Sequence, residues 1–153
     1  MFKEHVAERE YENFDGFVVL HGTDTLAYTA SALSFMTENL GKPIVITGSQ
    51  IPLFETRSDG KDNFIGSVIV AGLYPIPEVT VFFNNKLYRG NRTVKVSTGS
   101  LDAFDSPNLS PLAVAGISIQ GIKELGINPY VSQILQQILL VKKLRELLLE
   151  NIS

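Results

Sequence analysis

The sequence predicts an α/β fold, an open parallel or mixed sheet with helices on both faces, and three observations carry that prediction. Short apolar runs (FVVL at 17–20, IVIT at 44–47, VTVFF at 79–83) alternate with segments whose apolar residues recur every three to four positions. Glycine and proline punctuate each change of period, as in the GKP of 41–43. A chain of 153 residues can bury roughly two-thirds of its unfolded surface, enough for one core.

Taken in order, the first apolar run reads as a strand covered on both sides, because its side chains do not alternate with polar ones. A helix follows at once, with Leu26, Ala30, Leu33, Met36 or Thr37, and Leu40 on one face, Gly41 as the expected cap and Pro43 as the block. The second run is a strand, GSQIPLFETRSDG is a loop, and Phe64, Ile65, Val68 and Ile69 are expected to form the apolar face of a second helix closing at Gly72. The third run leads through Asn84 and Asn85, a tight turn, into a return strand at 87–89. Residues 102–111 are loop by their prolines, and 113–119 is expected to be one further strand. Between 129 and 152 apolar residues cover more than one helical face, so a C-terminal helix with neighbours on two sides is expected there. No internal repeat or low-complexity tract occurs.

Composition excludes several functions. A formal net charge of −3, from 13 basic and 16 acidic residues, gives no electrostatic footprint for nucleic acid or an anionic membrane. With no cysteine and two histidines there is no disulfide frame and little for a metal. Residues 1–10 lack the apolar core of a secretory signal, and the apolar stretch 138–149 is broken by Lys142, Lys143, Arg145 and Glu146. A cytoplasmic protein is the expectation.

Chemistry concentrates in three places. At the end of the first strand, HGTDT sets Thr23, Asp24 and Thr25 where a helix N-terminus offers unpaired N–H groups and partial positive charge. One such residue suffices as an N-cap; three in a row exceed that need. YRGNRTVK brings Arg89, Arg92 and Lys95 together, either as a solvated basic turn or as the source of a lysine. Packed against Thr23 and Asp24, such a lysine could accept or relay a proton. TGSQIPLFETRSDGKDN has no phosphate-cradling glycine pattern. Ser58 or Asp59 is expected to cap the second helix, and Gly48 and Ser49 are candidates for backbone contact with a ligand.

These stretches, HGTDT, TGSQIP, RSDGKDN and GNRTVK running on to SPNLSPLAVAGI, resemble the asparaginase family, specifically its cytoplasmic type I enzymes, over about residues 4–119. The resemblance implies hydrolysis of L-asparagine to L-aspartate and ammonia without metal or organic cofactor. It implies a Thr–Lys–Asp arrangement of Thr23, Lys95 and Asp24, with Asp24 also holding the substrate α-ammonium and backbone at Gly22, Thr23 and Ser49 lining the pocket. It further implies two units, an N-terminal-domain-like α/β region over 1–119 without its first strands and a helical tail over 120–153 without family counterpart, and a homo-oligomer as a partner. The family's TGGTI, which carries the first threonine, does not occur among these residues, so activity of the chain alone is expected to be weak or absent. The alternative is a non-catalytic fragment or degenerate paralogue binding amino acids or a full-length partner. The related amidotransferase subunit of transfer-RNA-linked amidation fits less well, for want of basic surface excess.

Overall fold

The computed structural model describes residues 11–116 and the short strand Ile119–Gln120. A 3₁₀ turn (Tyr11–Asn13) leads into β1 (Phe17–Leu20), α1 (Thr23–Met36), β2 (Ile44–Thr47), α2 (Gly60–Leu73), β3 (Val79–Phe83) and β4 (Lys86–Arg89). A second 3₁₀ turn (Gly90–Arg92) and β5 (Val94–Lys95), β6 (Phe104–Asp105), β7 (Ala113–Ala115) and β8 (Ile119–Gln120) follow. The main sheet runs β1-β2-β3-β4-β7-β8, and β5 pairs with β6 apart from it. β1, β2 and β3 are parallel, while β4, β7 and β8 are each antiparallel to their neighbours. The expected open mixed sheet is therefore present.

Helices lie on both faces because the strands alternate. Ile44, Ile46, Val79, Val81 and Phe83 pack with Leu26, Ala27 and Ala30 of α1. The residues between them, Val45 and Phe82, pack with Val70 and Ala71 of α2. Strands buried on both sides read as unbroken apolar runs, which is how β2 and β3 appear in the sequence. The β3–β4 hairpin turns on Asn84 and Asn85, at φ 46° and 62°, the paired left-handed conformation that two-residue hairpins require and asparagine tolerates.

Four expectations are corrected. α1 stops at Met36 rather than at Leu40. Thr37 closes it, its N–H and its hydroxyl both donating to the Leu33 carbonyl, and Asn39 at φ 53° turns the chain away. Gly41 is not the cap; its N–H donates to the Tyr11 hydroxyl. In α2 the face comprising Phe64, Ile65, Val68 and Ile69 is exposed, and the helix instead buries Asn63, Ser67, Val70 and Ala71. The reason is close approach: a Cβ on Gly66 would stand 2.2 Å from the Phe82 ring, so the glycine edge is turned to the sheet. Residues 113–119 are not one strand but β7 and the start of β8, folded back antiparallel. The helix expected over 129–152 lies outside the described residues. Among the described residues, no helix is long and apolar enough to cross a membrane.

Candidate active site

The turn from β1 into α1 is built by Gly22, the N-cap, which takes extended backbone without a side-chain cap. Thr23, Asp24 and Thr25 are thus the first three residues inside the helix, and none of them caps it, contrary to the simplest sequence expectation. His21 braces the turn. Its Nδ1 lies 2.8 Å from the Gly22 carbonyl and its Nε2 3.0 Å from Thr29 Oγ1. A carbonyl only accepts, so Nδ1 carries a proton toward it, and Nε2 and the Thr29 hydroxyl share the second bond.

Lys95 reaches this turn from β5. Its strand is anchored through its partner: Lys95 is in register with Phe104, whose ring packs on Phe83 at 4.8 Å between centroids and whose carbonyl accepts from the Tyr88 hydroxyl. From that base Lys95 Nζ donates to Thr23 Oγ1 at 2.9 Å and to Asp24 Oδ1 at 2.7 Å. The lysine side chain is 14% exposed and the aspartate 89%, so the ammonium end is enclosed while most of the carboxylate stays open. The hydrogen bond from Lys95, then its charge, hold the Asp24 carboxyl below its ordinary value. The adjoining helix N-terminus favours the same negative charge. An ion pair so exposed adds little to stability. Its consequence is geometric: hydroxyl, amine and carboxylate from positions 71 and 72 residues apart are brought together.

The end of β2 lies beside them. The His21 N–H donates to the Thr47 carbonyl at 2.8 Å, and a Cβ on Gly48 would meet the His21 carbonyl oxygen at 2.2 Å, so only glycine lets the two backbones approach. Ser49 follows, half-buried, its Cβ 3.1 Å from where a Cβ of Gly60 would stand. Gln50 ties this segment to the loop beyond Lys95, Nε2 donating to the carbonyls of Thr98 and Ser100 at 3.1 and 3.0 Å. Of the expected site residues, Thr23, Asp24 and Lys95 make direct contact, with Gly22 and the Gly48–Ser49 turn adjoining them.

Other basic residues of YRGNRTVK have different roles. Arg89 makes a two-pronged pair with the buried Glu78, at 2.6 and 3.0 Å, and Arg92 is exposed. Sequence reasoning missed Gln50 and Asn63 and gave Asp59 a capping role only. Asp59 stands at the N-cap position of α2 as expected, but its side chain makes no capping bond; its carboxylate accepts instead from the Gln50 and Ile51 N–H groups, while Ser58 Oγ accepts from the Gly60 N–H. The signal was the RSDGKDN motif, whose polar residues exceed what capping needs. Among the described residues no group of three or more histidine, cysteine or acidic side chains could hold a metal ion.

Residues 2–125 match the family described as Asparaginase, N-terminal. L-asparaginase 1 of Escherichia coli (strain K12) is 63% identical over 120 residues, covering 76% of this chain and 36% of that protein. An L-asparaginase of Dirofilaria immitis is 64% identical over 113 residues, or 74% of this chain and 19% of that one. The crystal structure of L-asparaginase I from Vibrio cholerae superposes with a TM-score of 0.72 at 60% identity, covering 76% of this chain and 35% of the other. The chain thus spans little more than a third of the first of these relatives. HGTDT, TGSQ and GNRTVK all fall inside the matched residues, and with that match the chain belongs to the asparaginase family.

Proposed function

We propose that this chain carries part of the site of an asparaginase-type amidohydrolase that converts L-asparagine and water to L-aspartate and ammonia. The observation that supports it best is the single amine, Lys95 Nζ, at hydrogen-bond distance from both Thr23 Oγ1 and Asp24 Oδ1 at a helix N-terminus. A base within reach of a hydroxyl is what an activated nucleophile requires. The Thr23 proton passes to Lys95 Nζ as Oγ1 bonds to the carboxamide carbon, Lys95 having first given up one of its own protons to Asp24 or to solvent. The C–N bond then breaks, the nitrogen leaves as ammonia with that proton, and water cleaves the resulting ester to give aspartate and free Thr23. Asp24, charged and largely open, pairs with the substrate α-ammonium. Backbone N–H groups at the start of α1 and at Ser49 are suited to the developing oxyanion.

Activity of the chain alone is expected to be weak, because the TGGTI threonine of the family does not occur among its residues and a positioned nucleophile carries orders of magnitude in rate. The 1–119 unit is assigned to this site, and self-association is part of the same proposal. Ammonia release from L-asparagine, lost in Thr23→Val, is the test. A folded chain that binds L-asparagine without releasing ammonia would favour the non-catalytic alternative.

A further inference from the structure

The first turn of α2 is wired to the loop that carries Ser49. Asn63 is 2% exposed, and its amide is nearly fully used. Nδ2 donates to the Gly48 carbonyl and to Asp59 Oδ2, both at 3.0 Å, and Oδ1 accepts from the Asn84 N–H at 3.0 Å. The Asp59 carboxylate accepts from the Gln50 N–H at 3.1 Å through either oxygen, and from the Ile51 N–H at 3.0 Å. The Gly48 carbonyl and the Gln50 and Ile51 amides are therefore all fixed from outside the loop. Among the described residues the Ser49 N–H between them donates no hydrogen bond. A buried amide with this many partners fixes geometry, because each bond left unmade would cost the desolvation of its group.

We infer that Asp59 and Asn63 are positioning residues that hold the Gly48–Ile51 backbone so that the Ser49 N–H stays open to the substrate's carboxamide, with Gln50 coupling this clamp to the loop beyond Lys95. The inference rests on the amidohydrolase reading above. Neither residue touches Thr23 or Lys95; they act on the site through the backbone of Ser49.

The test is an amide NMR experiment on the ¹⁵N-labelled chain and its Asp59→Asn variant, titrated with L-asparagine. In the wild type the Ser49 amide shifts on titration. In D59N, exchange at Gln50 and Ile51 rises about tenfold, the scale of losing a charge-assisted bond, while Val45 and Ile46 keep their protection. The titration midpoint read at Ser49 rises by a similar factor. Unchanged exchange at both amides overturns the clamp, and faster exchange with an unmoved midpoint overturns its link to the ligand. If D59N loses its cooperative melt, Asp59→Glu takes its place, keeping the charge while displacing the carboxylate from the Gln50 and Ile51 amides; there exchange at both amides and the midpoint rise together, and unchanged exchange or an unmoved midpoint again overturns the inference. A wild-type Ser49 amide that does not respond to L-asparagine contradicts the substrate reading itself and the inference with it, a failure visible before any variant is compared.

Discussion

α1 and α2 are both 14 residues long, both follow a parallel strand, and both pack on the same sheet, yet they use their residues in opposite ways. α1 turns apolar Leu26, Ala27 and Ala30 to the sheet and leaves the polar side chains of its first turn to meet Lys95. α2 buries polar Asn63 and Ser67 beside Val70 and Ala71 and leaves Phe64, Ile65, Val68 and Ile69 exposed. In α1 the polar first turn faces outward to a prospective ligand. In α2 it is consumed internally, holding the loop before it. The lesson is that apolar periodicity identifies a helix but not its buried side. That is decided by which side lets the axis come close, and in α2 the side bearing Gly66 does so.

Substitutions can break this contrast, beginning with the largest effect. Leu26→Ala, at a site with no solvent exposure, should destabilise by about 2–5 kcal/mol. Ile65→Ala, at the matching apolar stripe of α2 but 50% exposed, should stay within about 0.5 kcal/mol. Equal losses by urea denaturation would mean that the α2 stripe is covered in solution. Two of the three glycines of α2, Gly66 and Gly72, sharpen the point by sign. An added Cβ at Gly66 meets the Phe82 ring at 2.2 Å, whereas at Gly72 nothing lies within 4 Å. Gly66→Ala should therefore cost about 1–3 kcal/mol through overpacking. Gly72→Ala should gain up to about 1 kcal/mol from helix propensity, and thermal melts of the pair would show shifts of opposite direction.

The smallest effect is electrostatic. The Asp24 carboxyl is held below its ordinary 3.8 by Lys95, so its folded value lies under its unfolded one. Its contribution is present above about the unfolded value and is lost as pH falls through the folded one. Carboxyl NMR titration should place Asp24 below 3.8 in the wild type and nearer to it in Lys95→Met; an unmoved midpoint would mean that the contact does not persist in solution.

Much of the frame was legible in the sequence. β1, β2 and β3 fall on their apolar runs, and Asn84-Asn85 announces the hairpin, because local preference and tertiary packing agree there. The end of α1 was not legible, since Thr37 and Asn39 stop it through particular hydrogen bonding and dihedrals while the apolar period runs on to Leu40. The role of Asp59 was hidden because an aspartate before a helix looks like a cap whether or not it acts as one. Nor does spacing bring Lys95 to Thr23 and Asp24: their separation is set by the strand order and by the anchoring of β5 through Phe104. Only the family resemblance pointed to that meeting before the structure did.

The central claim is that one amine serves a threonine and an aspartate for amide hydrolysis, and ammonia release from L-asparagine by the purified chain, with Lys95→Met beside it, tests it most directly. The account predicts a slow release that the substitution lowers by about 10²–10⁴-fold, the span typical of a positioned proton-transfer group, at unchanged folding. Equal release by both proteins, or none from a folded wild type, would contradict it.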